Sequence, residues 1–302
     1  MPYLEEIFCF IDDFCKYYER EIKKISLPEP EANRKSRRKR RYTITWSEVM
    51  TILITYQTSC FKNFKRFYKY AEEKLRGYFP KLVSYNRFVE LEKYVGFPLG
   101  ILIKLLTGEK NGVYFIDSTK LAVCHNKRIF NHKTFKGSAS RGKNSMGWFF
   151  GYKLHLLINK KGEIMNVSLT GGSTDDRKVL DDIMKGFEGT LYGDRGYIGK
   201  DLKEKMKKKN INLVTRTKKN MKTQVLDTLD EFYLGKRNII ETIIGKLKIK
   251  FNLEHSRHRS PDNFMINILC CLMAYILTDQ KLAILFTSIS SNTSMKPSLM
   301  SN

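Results

Sequence analysis

The stretch Gly112-Val113-Tyr114-Phe115-Ile116-Asp117-Ser118-Thr119 is where a helical chain turns into a sheet. Gly112 gives a turn signal, β-prone residues follow, and a carboxylate closes the run. A carboxylate on a sheet strand is costly unless something pairs with it, so Asp117 is a candidate functional residue. Downstream, Trp148–Ile158 and Glu163–Thr170 alternate on either side of Asn159-Lys160-Lys161-Gly162, a hairpin signal. Next come a short helix over Arg177–Phe187 and a strand, Thr190-Leu191-Tyr192-Gly193, ending in Asp194. A lysine-rich helix over Lys200–Lys209, a strand over Ile211–Thr215 and a helix from Lys236 to about Phe251 complete the pattern. That order predicts an α/β domain, a mixed sheet flanked by helices. Asn126–Gly147 reads as a basic, Gly- and Ser-rich loop, and the two Trp and the aromatic positions near 148–152 read as sheet core.

Upstream the pattern is helical. Leu4, Ile7, Phe8, Ile11 and Phe14 give a first helix over residues 1–24. From Thr45 to about Leu106 the chain reads as helix, with Ser47 as a cap and breaks at Pro80 and Pro98. Between them lies Arg34-Lys35-Ser36-Arg37-Arg38-Lys39-Arg40-Arg41, seven basic residues in eight. The predicted division is a helical region over 1–106 with its basic linker at 34–41, an α/β domain over 107–286 with a C-terminal helix, and a disordered Ser-, Thr- and Asn-rich tail over 287–302.

Charge narrows the partners. Across 302 residues, 55 Lys and Arg against 31 Asp and Glu leave +24, which calls for a polyanion. With 42% hydrophobic residues the chain is not wholly disordered. The longest apolar run, Phe264–Leu277, is too short to span a bilayer and reads as a core helix. Glu5, Glu6, Asp12 and Asp13 stand where a signal peptide would be basic and then apolar, and the six cysteines form no C-x-x-C pair. The expectation is an intracellular protein with reduced, mostly buried thiols, no membrane, and nucleic acid as partner.

Three acids gather the chemistry. Asp194 sits within Gly193-Asp194-Arg195-Gly196, where glycines permit close approach. At about 100° per residue, Arg237, Glu241 and Lys248 fall on one helical stripe, opposite Ile239, Ile240, Ile243, Ile244, Leu247 and Phe251. Three converging carboxylates need cations between them, and hard oxygen ligands suit Mg²⁺ or Mn²⁺. Taken singly, each acid also has an ordinary reading as a turn residue, a cap or an ion-paired helix face. Asp176 reads as the cap of the following helix. His255 and His258 have ligand spacing but lack partners for zinc, which favours structural roles. Lys62, Lys65, Arg66 and Lys69 are candidates for a recognition helix, without a clear helix-turn-helix signature.

Together the motifs resemble the DDE transposases of bacterial insertion sequences. The resemblance rests on Ile116-Asp117-Ser118-Thr119, Gly151-Tyr152-Lys153-Leu154-His155, Tyr192-Gly193-Asp194-Arg195-Gly196-Tyr197, and Tyr233…Arg237…Glu241…Lys248. Three residues separate Tyr233 from Arg237 where the family's signature has two, whereas the Glu-to-Lys spacing is kept. The resemblance implies an RNase H-like fold, with Asp117, Asp194 and Glu241 as the catalytic triad holding two divalent ions, Mg²⁺ or Mn²⁺. It implies DNA binding by the helical region 1–106, catalysis by the domain 107–286, and DNA contacts from Tyr233, Arg237, Lys248, Lys153, Arg195 and the run Arg34, Lys35, Arg37, Arg38, Lys39, Arg40, Arg41. It further implies double-stranded DNA as partner, a homodimer in the synaptic complex, and a cytoplasmic, nucleoid-associated bacterial protein. The rivals are a non-catalytic basic nucleic-acid-binding protein derived from a transposase and, distantly, a tyrosine recombinase using Tyr275, which leaves the three acids unexplained.

Overall fold

The computed structural model describes residues 4–25, 44–144, 147–217, 226–254 and 258–277. The chain forms two compact units, residues 1–102 with 269–302, and residues 103–268.

In the first unit, α1 (Leu4–Ile25), α2 (Trp46–Thr58), α3 (Phe64–Lys74), α4 (Tyr85–Glu92) and α5 (Gly96–Leu105) follow in order. The cap of α2 is Thr45 rather than Ser47. Its side chain accepts from Glu48 N at 3.2 Å while the Glu48 carboxylate accepts from Thr45 N at 2.7 Å, a reciprocal capping box. Ser47 instead donates to Asp12 at 2.7 Å, tying α2 to α1. Pro98 sits in the first turn of α5, where its missing N–H costs nothing. An aromatic cluster of Tyr56, Phe64, Phe67, Tyr68 and Phe88 joins α2, α3 and α4. Lys62, Lys65, Arg66 and Lys69 are exposed, on or beside α3. Cys15, Cys270 and Cys271 are buried but Cys9 and Cys60 are exposed, so burial of the thiols is only partial.

The second unit is built on β1 (Val113–Cys124), β2 (Ser140–Asn144), β3 (Gly147–Asn159), β4 (Ile164–Gly171), α6 (Leu180–Ile183), β5 (Gly189–Gly193), α7 (Lys200–Lys207), β6 (Ile211–Thr215), α8 (Thr228–Lys236), α9 (Asn238–Ile249) and α10 (Pro261–Ile276), whose later part clusters with the first unit. The sheet runs β2-β3-β1-β5-β6, with β4 following β2 along the outer edge of β3. Pairing is antiparallel on the β3 side of β1 and parallel on the β5 side. This is the mixed, helix-flanked RNase H-like sheet that the resemblance implied, preceded by a helical region.

Several local expectations differ. β2 lies inside the stretch read as loop; its pairing is supplied by β3, not by any apolar alternation of its own. The helix expected over Arg177–Phe187 is a 3-10 turn, Asp176–Val179, running into the four-residue α6. Trp148 is 51% exposed and is not sheet core. The tail 287–302 lies outside the described residues.

Side-chain alternation along β1 gives the sheet two different faces. Tyr114 and Ile116 join Leu157, Leu180, Ile183, Leu191, Met206 and Leu213 in one apolar core. Phe115 points the other way, meeting Tyr192 at 5.7 Å and Tyr233 of α8 at 6.4 Å between ring centroids. Asp117, two residues on, shares that second face. α9 packs on β1 through a stripe in which Ile240, Ile243 and Leu247 are buried.

Candidate active site

Asp117 lies within β1, not at its end, because the strand continues through Ser118–Cys124 by pairing with β3. Phe115 pairs with Tyr192 across the parallel β1–β5 ladder. Two residues further along both chains, that register sets Asp117 beside Asp194, immediately after β5. Glu241 stands in the first turn of α9, on the side away from its buried isoleucines.

One cation joins the three. The Arg237 guanidinium, between α8 and α9, donates to Asp194 Oδ1 at 2.9 Å and to Glu241 Oε1 at 2.7 Å, with Asp117 Oδ2 3.9 Å from Nη2. Its Nε is buried with no acceptor among the described residues. Asp117 accepts from Ser118 N at 2.8 Å. Burial pushes the Asp117 carboxyl up to about 6, against the opposing pull of the Ser118 N–H and Arg237, and with Asp194 and Glu241 adding like charge.

Three carboxylates on one cation are hard oxygen donors of the kind Mg²⁺ and Mn²⁺ take, and in that chemical sense the residues fit a divalent ion. With the guanidinium between them, no group of three His, Cys, Asp or Glu among the described residues is gathered tightly enough to hold one. A divalent ion taking the Asp194 Oδ1 and Glu241 Oε1 oxygens would compete with Arg237 for them.

The remaining candidates fall into different places. Tyr233 is half-buried, packed 5.4 Å from the Tyr192 ring, and so supports β5 from α8. α8 itself was not anticipated in the sequence. Arg195 is exposed and lines a cleft of ≈ 460 Å³ with Asp194, Arg216, Arg237, Asn238 and Glu241. Lys248 pairs with Glu254 at 2.5 Å rather than with the acids. Lys153 donates to Asp176 Oδ1 at 2.8 Å and to Thr174 O at 2.9 Å. Arg34, Lys35, Arg37, Arg38, Lys39, Arg40, Arg41 and His255 lie outside the described residues. His258 is half-buried, and its desolvation pushes the pKa down to about 4 despite a hydrogen bond with Asn267.

Sequence reasoning missed the role of Asp176. The cap of the 3-10 turn is Asp175, which accepts from Arg177 N, while Asp176 turns inward to Lys153 and accepts from Ser118 Oγ at 2.9 Å. Ser118 thus carries a link from Asp117 on one face of β1 to an ion pair on the other. The only signal was the doublet Asp175-Asp176, which does not say which acid turns inward.

A mixed sheet with one acid within a strand, a second just after the adjoining parallel strand and a third on the helix packed against them belongs to the RNase H-like class. Residues 107–261 match the family model of the transposase DDE domain, which is slightly more than half of the chain. The chain belongs to that family. No curated protein matches it. Among solved structures it is similar to the piggyBac transposase in a synaptic complex with hairpin DNA, determined by cryo-EM. That likeness has a TM-score of 0.48 at 9% identity and covers 98% of this chain and 82% of that one. No described helix is long and apolar enough to cross a membrane.

Proposed function

We propose that this chain is a DNA transposase that binds the ends of its own insertion sequence, cleaves there by phosphodiester hydrolysis, and joins the freed 3′-hydroxyl to target DNA. The observation that carries this reading is the convergence of Asp117, Asp194 and Glu241 on Arg237. The three carboxylates are the residues that hold two Mg²⁺ ions, or Mn²⁺ in their place. When bound, such ions activate an attacking oxygen and stabilise a leaving one.

The chain's own groups bind and orient the DNA. Arg237, once parted from the carboxylates, presents a planar fork suited to a phosphate at the same place. Arg195 on one side of the Asp194 loop, and Lys153 on the other once released from Asp176, add positive charge along the strand's path. Tyr233 braces β5, and Lys248 reaches phosphate on release from Glu254. The run Arg34–Arg41 holds the DNA backbone without reading sequence, because phosphate contacts position and base contacts specify. Bringing two element ends together requires two copies of the chain, hence a homodimer on DNA.

A strand-transfer assay tests the reading. Purified protein is incubated with a labelled duplex ending in the element's terminal 3′-hydroxyl, a supercoiled target plasmid and Mg²⁺. Covalent joining of label to plasmid is the expected result. Tight binding of the duplex with no joining in Mg²⁺ or Mn²⁺ would favour a protein that binds DNA without rearranging it.

A further inference from the structure

A second cleft, of ≈ 400 Å³, opens on the other side of the Asp194–Gly196 loop. Its lining includes Arg141, Lys143, Trp148, Lys153, Asp176 and Gly196. Its outer wall is the β2–β3 hairpin, in which Lys143 pairs with Trp148 and Arg141 with Phe150. The next residue, Phe149, is 3% exposed and anchors the strand, whereas Trp148 leaves half of its surface in solvent.

Two cations dress the indole. The Arg141 guanidinium carbon lies 4.7 Å from the ring centroid and the Lys143 ammonium 5.5 Å. Neither forms an ion pair among the described residues, so both charges are available to an incoming anion. The hairpin is held in place by close packing. A Cβ on Gly142 would stand 2.2 Å from Gly172 O, and Asn126 donates to Trp148 O at 2.7 Å. An exposed aromatic ring fixed in position, with two cations lying over it that form no ion pair among the described residues, and opening on a cleft beside the Asp194–Gly196 loop, has the composition of a platform for single-stranded nucleic acid. Bases stack on the ring and the flanking cations take the phosphates.

We propose that Trp148, with Arg141 and Lys143, is a stacking site for an unpaired nucleobase of the DNA strand that passes the Asp194–Gly196 loop. The proposal rests on the DNA-acting function above and adds a place where an unpaired base is held. Duplex DNA, whose bases are already stacked on one another, gains little from this ring. A strand end, a frayed terminus or an overhang gains a π-face.

The sequence contains two Trp, Trp46 and Trp148, so Trp46→Phe leaves Trp148 as the only indole. That variant is titrated with a fluorescein-labelled oligothymidylate and, separately, with a blunt duplex, following both label anisotropy and indole emission. The expected result is quenching of Trp148 by the oligothymidylate as it binds. Trp148→Ala should lose roughly tenfold or more in affinity for the single strand, keep its affinity for the blunt duplex, and recover with Trp148→Phe. Binding seen by anisotropy with unchanged indole emission would overturn the stacking site while leaving the DNA-acting function intact. So would equal loss of single-strand and duplex affinity in Trp148→Ala. Absence of binding to either DNA would overturn both. The emission experiment uses the native Trp148, so it stands even if Trp148→Ala fails to fold.

Discussion

Replacing Arg237 with Gln removes the one cation on which the three acids converge, and its consequences can be worked from the distances. Two charge-assisted hydrogen bonds are lost, 2.9 Å to Asp194 and 2.7 Å to Glu241, together with a 3.9 Å attraction to Asp117. Asp194 and Glu241 have side chains 52% and 54% exposed, so solvent screens those two bonds and each contributes ~0.5 kcal/mol. Asp117 is 21% exposed, and its attraction to Arg237 is screened less. Truncating one partner of a fully buried pair costs ~3–5 kcal/mol, which is an upper bound for this half-open cluster. The metal-free variant should therefore lose ~1–3 kcal/mol, a fall of a few degrees in Tm for a unit of this size. With Mg²⁺ or Mn²⁺ present the order should change. Guanidinium and divalent ion compete for the same oxygens, so the variant should gain more Tm from a given metal concentration than the wild-type chain does. Thermal melts with and without metal, repeated with Ca²⁺, read both effects. An unchanged metal-free Tm together with an equal metal increment would refute the view that Arg237 holds the place of the ions.

Three further outcomes are expected. Burial raises Asp117 from its ordinary 3.8 to about 6, so its contribution to stability is fully present below pH 3.8 and is lost as pH rises through 6. In metal-free protein Asp117→Asn should thus match wild type near pH 4 and exceed it at pH 8 by at most ~3 kcal/mol, measured by urea unfolding at both pH values. In the first unit Glu92 is 4% exposed and burial pushes it up to about 8, so by the same sign stability drains away between about pH 5 and 8. Glu92→Gln should widen its Tm advantage over that interval, and a pH-independent difference would refute the buried acid. Finally, a methyl at Gly142 would collide with the Gly172 carbonyl and the Phe149 ring, so Gly142→Ala should cost ~1–3 kcal/mol and expose the β2 amides to hydrogen exchange.

The elements with strong periodicity were legible in the sequence. β1, the β3–β4 hairpin, β5, β6 and α9 declared themselves by alternation or by the isoleucine stripe, and those elements carry Asp117, Asp194 and Glu241. β2 was not legible, since Ser140-Arg141-Gly142-Lys143-Asn144 has no apolar phase and becomes a strand only through its partner. The same gap misplaced Trp148. An aromatic in an alternating run was read as inward, but Phe149 holds the inward phase and Trp148 the outward one. Between Asp175 and Asp176, and between Thr45 and Ser47, nearby residues of like chemistry divided the roles of cap and long-range partner by geometry alone. The stripe of Arg237 and Glu241 was visible from helical spacing. That Arg237 would also reach Asp194, 43 positions away, was not, because it depends on α9 packing against β1.

Strand cleavage tests the central claim most directly. Purified protein and its Glu241→Gln variant are each incubated with a plasmid carrying the gene and its native flanks, with Mg²⁺, with Mn²⁺, and with neither. The account predicts metal-dependent breaks at two fixed positions flanking the gene, made by the wild-type chain and absent in the variant. Equal cutting by the two proteins would contradict the assignment of Asp117, Asp194 and Glu241 as the catalytic acids.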